Sequence, residues 1–165
     1  MRLQPVPVNE LDEALHWWGS QEPWSRLTSS SRLSALRRQF YEDALAAVGP
    51  NRTVKVCTYV FAGRGVDVEG SHALLARNAR DRGWTVHRER FTDEATDGPL
   101  PAWPQFDLAC RHARSGFVDG VLVHDRNAMP VSDESYEAYL RWLNCHHAFI
   151  AFLQPTFGGT PCVDR

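Results

Sequence analysis

Lysine is almost missing from this chain: Lys55 stands alone, and the other basic residues are all arginine. There is no basic excess either, since 20 acids face 18 bases for a formal net charge of −2. Stand-alone duplex-binding modules draw much of their affinity from neutralising backbone phosphates and are usually basic. Composition therefore gives no phosphate-binding surplus, and the arginine bias reads as genomic base composition. No apolar run reaches membrane-span length. The opening Met1-Arg2-Leu3-Gln4-Pro5 lacks the apolar core of a secretory signal. A cytoplasmic location with no membrane partner is the expectation. The four cysteines, Cys57, Cys110, Cys145 and Cys162, include no Cys-x-x-Cys pair. They are expected as reduced thiols, the first three on core-facing positions. Cys145, His146, His147 and Cys162 could be drawn together as a zinc site, but adjacent histidines beside a cysteine are a poor ligand spacing. No metal and no cofactor are expected.

What is present is an ordinary globular composition, 43% hydrophobic and 23% charged over 165 residues, enough for one domain and a modest extension. Residues 1–50 differ from the rest and are read as a helical N-terminal extension. Asn9 to Trp18 reads as a short helix capped by Asn9 and ended by Gly19. Ser20 to Ser31 reads as a loop. Ser31 to Val48 is a stronger helix with Leu33, Leu36, Phe40, Ala44 and Ala47 on one stripe, stopped by Gly49-Pro50. From residue 51 to 154 strands and helices alternate. Thr53–Phe61, Trp84–Phe91, Val118–Val123 and His147–Leu153 read as strands. Ser71–Arg82, Pro104–Ser115 and Ser132–Cys145 read as helices, the first capped by Ser71 and the last by Ser132. Thr92 to Trp103 reads as a polar, proline-bearing loop. Such alternation implies a three-layer α/β/α domain on a mainly parallel four- to five-stranded sheet. The Gly/Pro-rich segment 155–165 reads as a loose tail.

Several short motifs follow one another in order. Tyr59-Val60-Phe61-Ala62-Gly63 ends the first strand. Ser71-His72-Ala73-Leu74-Leu75 opens a helix. Gly83-Trp84-Thr85-Val86 enters the second strand, and Asp93 to Gly98 forms the loop after it. Arg114-Ser115-Gly116-Phe117-Val118-Asp119 leads into the third strand, and Asp125-Arg126 follows that strand's end. Taken together, residues 54–153 resemble the catalytic domain of the serine recombinases, the resolvase/invertase family. The resemblance implies a resolvase-like fold and, in the family, a Tyr-x-Arg-x-Ser pattern whose serine attacks the scissile DNA phosphate. Here the tyrosine is Tyr59, the arginine position is Phe61 and the nucleophile position is Gly63. The family's second arginine after Asp-Arg would lie at or near Pro130 and is gone. Asp93, Asp125 and Arg126 are the family-matching remnants. Arg64, one residue past the nucleophile position, and Ser71, the nearest downstream hydroxyl, are weak replacement candidates. Family members also continue into a long helix and a DNA-binding region, which this chain is expected to lack.

Loss of the nucleophile removes covalent catalysis, and loss of the arginine removes charge stabilisation for phosphoryl transfer. The expectation is an inactive recombinase-like domain serving as a regulatory or interaction protein, with DNA, a DNA-bound protein or a second copy as partner. An active or partner-assisted recombinase stays open, with Ser71 as displaced nucleophile against its plainer reading as a helix cap. So does a nucleotide- or small-molecule-binding domain built on the Gly63–Gly70 loop. That loop matches neither the dinucleotide nor the Walker pattern and carries Asp67 and Glu69, which repel phosphate. Asp125-Arg126 can also hold a strand-end loop as a bidentate pair without any catalysis.

Overall fold

The computed structural model describes residues 29–95 and 103–153; the expected helix at Asn9–Trp18, most of the proline-bearing loop and the tail lie outside them. The first described element is α1 (Ser29–Val48). It is followed by β1 (Lys55–Ala62), α2 (Val68–Asp81), β2 (Thr85–Glu94) and α3 (Pro104–Arg114). Then come β3 (Gly120–Val123), a short 3₁₀ turn over Arg126–Ala128, α4 (Asp133–Asn144) and β4 (Phe149–Phe152). The strands form one sheet in the order β2-β1-β3-β4, and each neighbouring pair is parallel. The three-layer α/β fold expected from the alternation is therefore the fold observed.

Two apolar layers arise because successive strand residues point to opposite faces. Cys57, Tyr59, Val121, Val123 and Ile150 face α3 and α4, where Phe106, Cys110, Tyr136 and Leu140 close the layer. Val56, Val60, Leu122, Phe149 and Ala151 face the other way, onto Leu75 and Ala79 of α2 and Ala44 of α1. Gly120 is required on that side: a Cβ there would lie 2.5 Å from the Phe149 ring. The ring fills the space instead and meets Tyr41 edge-on at 5.2 Å.

Both sheet edges are protected against further pairing. On β2 the register slips between Val56↔Val86 and Thr58↔Arg90, a bulge on a strand bearing Arg88, Glu89 and Arg90 outward. On β4, α1 lies across the edge and joins the two layers, with Leu33 in one and Ala44 in the other. Of its expected stripe, Leu33 and Ala44 are buried and Leu36 and Phe40 pack on the core, whereas Ala47 is exposed.

Three local expectations are corrected. Helix α2 begins at Val68 and is capped by Asp67, which accepts from the Gly70 amide at 3.0 Å, so Ser71 lies inside the first turn. Strand β2 runs on through Glu94, into what reads as loop in the sequence. Cys145, expected on a core-facing position, is exposed just past α4, while Cys57 and Cys110 are buried. Burial pushes the Cys57 thiol up to about 12 and raises Cys110 as well, so both are packing groups rather than nucleophiles. Cys162 of the drawn zinc set lies outside the described residues.

Candidate functional site at the carboxyl ends of β1 and β3

Ligands in open α/β sheets bind where strand order reverses, outside the carboxyl ends of the strands. In this sheet the reversal falls between β1 and β3, because β2 lies on one side of β1 and β3 on the other. A cleft of about 310 Å³ opens there. Tyr59, Val60, Phe61 and Gly63 line it from β1 and the following turn, Val66, Ser71 and Leu75 from the loop and α2, and His124, Asn127 and Ala128 from the end of β3. Its walls are mainly apolar. A second hollow of similar volume, lined by Asp107, Ser135 and Tyr139, sits between α3 and α4 rather than at strand ends.

Asp93 does not face this cleft as a free acid. It is buried, and its carboxylate accepts from the Tyr59 hydroxyl at 3.1 Å and from the Gln105 and Phe106 amides at 3.0 and 2.9 Å. Those amides are orphan donors of α3, whose own N-cap residue, Trp103, makes no side-chain cap bond. Asp93 is thus a cap supplied from β2. Burial first, and then the Asp93 carboxylate, push the Tyr59 phenol far above its ordinary range, so it stays a hydrogen-bond donor.

Asp125 and Arg126 are adjacent in sequence but hold the β3–α4 loop separately rather than as a bidentate pair. Asp125 caps the 3₁₀ turn through the Ala128 amide at 2.9 Å and meets His124 Nδ1 at 2.9 Å. Burial raises its pKa, but the bonds from His124 and Ala128 outweigh this and hold it below the ordinary value. Arg126 turns back over the loop. It donates to the Met129 and Val131 carbonyls at 2.9 and 2.8 Å and to Asp133 at 2.9 Å, and it stacks 4.5 Å above the Tyr136 ring. Met129 beside it is buried and Pro130 half-buried, so no second cation follows Arg126 in this loop.

The replacement candidates divide. Arg64 is exposed in the Gly63–Gly65 turn and does not line the cleft. Ser71, released from capping by Asp67, does line it, with its backbone amide donating to the Asp67 carbonyl at 2.9 Å. At Gly63 an added Cβ would meet only Val66 Cγ2 at 3.8 Å, an ordinary contact, and φ is not in the left-handed region. Glycine is therefore not a steric requirement at this position.

No protein-family model matches the sequence, and no curated protein matches it significantly. Among solved structures the chain is similar to the N-terminal catalytic domain of TP901-1 integrase. The TM-score is 0.50 at 19% sequence identity, over 60% of this chain and 76% of that one. The fold is resolvase-like. At that identity the likeness speaks for the scaffold and leaves the chemistry to be argued from the residues.

Two site-proximal groups escape the motif comparison. His72 is buried on the α2 face of the sheet, its Nδ1 at 2.8 Å from Thr58 Oγ1 and its Nε2 at 2.8 Å from Thr92 Oγ1. Burial, and secondarily Arg90, lower its pKa, so the imidazole is held neutral between two hydroxyls. The spacing His72, Leu75, Ala79 along α2 carries the signal, since it places the histidine on the buried stripe. His124 lines the cleft and is ordered by Asp125, and only its position next to Asp125-Arg126 marks it in the sequence.

Proposed function

We propose that this chain is a relative of the site-specific serine recombinases that has lost their chemistry and works as a regulatory or interaction protein. Its candidate partners are DNA, a DNA-bound protein or a second copy of itself. The observation that carries the reading is the end of β1, where Phe61 and Gly63 line the cleft at the positions of the family's phosphate-binding arginine and nucleophilic serine. A benzyl group cannot stabilise phosphoryl oxygens, and a glycine offers no nucleophile. The remaining family-matching groups are engaged elsewhere: Asp93 caps α3, and Arg126 ties down the β3–α4 loop. An apolar cleft suits an inserted side chain better than a phosphate backbone. The test is incubation with supercoiled DNA followed by denaturing electrophoresis. Salt-sensitive binding, or none, without a covalent adduct is expected; nicked DNA attached to protein overturns the reading.

A second reading, an active or partner-assisted recombinase, is favoured by one observation: Ser71 is not a cap and opens onto the cleft. On that reading Ser71→Ala abolishes nicking by the wild-type protein. The nucleotide-binding alternative gains nothing from the Gly63–Gly70 loop, because Asp67 caps α2 and Glu69 pairs with Arg90 at 2.8 Å.

A further inference from the structure

A cluster of arginines lies at the carboxyl end of β4. α1 carries Arg37 and Arg38 there, and Arg82, the C-cap residue of α2, arrives from below the sheet edge. With Tyr41, Glu42 and Phe152 they line a hollow of about 320 Å³. Arg37 stacks 4.6 Å above the Phe152 ring, and Arg82 stacks 4.7 Å above Trp84 while donating to the Phe152 carbonyl. Both are half-buried, and the Nε of each is buried with no hydrogen-bond partner among the described residues. The arginine–carboxylate pairs among the described residues engage Arg32, Arg52, Arg90, Arg111, Arg126 and Arg141, but neither Arg37 nor Arg82. Partial burial of two neighbouring cations that no carboxylate pairs with directly is costly, and it is relieved when an anion supplies the missing acceptors.

We propose that Arg37, Arg38 and Arg82 form a binding site for a phosphate monoester group. Guanidinium forks match phosphate oxygens in pairs, which a lysine ammonium does not. Three arginines against the single carboxylate of Glu42 leave an excess of two positive charges, which a monoester near its dianionic form balances. A backbone diester, with one charge per phosphate, balances only half of it. Burial is the main cause that lowers the pKa of Arg37 and Arg82; Tyr136 and Tyr41 respectively oppose it, and a neighbouring arginine adds a smaller lowering in each case. Two of the three arginines belong to elements outside the β1–β3 cleft, and the site does not depend on the reading of that cleft.

The experiment measures thermal unfolding of the full chain in inorganic phosphate against sodium chloride at matched ionic strength. At about ten times Kd, phosphate is expected to raise Tm by roughly 3–6 °C. Arg37→Gln is expected to abolish the rise. Arg38→Gln, at an exposed position that leaves folding intact, is expected to weaken phosphate binding about tenfold or more. A short duplex with a 5′-phosphate should compete with phosphate, and the same duplex without it should not. Three results each overturn the proposal: no rise beyond that in chloride, an equal rise in Arg37→Gln and Arg38→Gln, or equal competition by both duplexes.

Discussion

A buried carboxylate with three donors, Asp93 is held by Tyr59 and by two amides of α3. Removing it leaves those donors unsatisfied in the core, which costs more than the bonds themselves are worth. Asp93→Ala should lower unfolding stability by about 2–4 kcal/mol, read as a drop in urea midpoint with unchanged slope. Gly63 is the opposite case. Its surroundings accept a side chain, so Gly63→Ser should fold with stability within about 1 kcal/mol of wild type. A severe loss of stability in that variant would show that glycine is there for the backbone after all. Asp93, Asp125 and Arg126 could all be picked out from the sequence, but their work could not. A motif gives the type and order of residues, whereas the partners that consume Asp93 and Arg126 come from α3 and from the loop's own carbonyls. His72 shows the converse, a polar residue with no motif whose role follows from the apolar stripe it interrupts.

The start of α2 was misplaced by sequence reasoning for a physical reason. Val68-Glu69-Gly70 combines a β-branched residue with a glycine, both weak helix formers, so Ser71 looks like the natural cap. The Asp67 carboxylate, bonded to the Gly70 amide, carries the helix past them. Asp67→Ala should therefore cost about 1 kcal/mol and Ser71→Ala close to nothing; the reverse ranking in chemical denaturation would restore Ser71 as cap. The same helix brings a pH dependence. His72 has a folded pKa below its ordinary 6.5, so the unfolded chain binds the proton more readily. Its contribution is complete above pH 6.5 and is lost as pH falls below that value. Melting temperature should fall on acidification through this range. His72→Gln should reduce the slope to the part left by His87, whose imidazole burial also holds low. An unchanged slope would assign the effect elsewhere. Helix α1 was readable from its stripe, but its place across the β4 edge was not, because periodicity gives a face and not the surface it meets.

The fold class followed from the β-α alternation, since parallel strands need helical crossovers. Strand order did not follow, and it is the order β2-β1-β3-β4 that puts the cleft between Phe61, Gly63, Ser71 and His124. The molecule has a resolvase-like fold, and Phe61 and Gly63 at the end of β1 carry neither a hydroxyl nor a positive charge. One measurement bears on this most directly: intact mass of the protein after incubation with supercoiled DNA, denaturation and exhaustive nuclease digestion. The account predicts the mass of the unmodified chain at every time point. A fraction carrying a nucleotide on a serine, above all on Ser71, would contradict it.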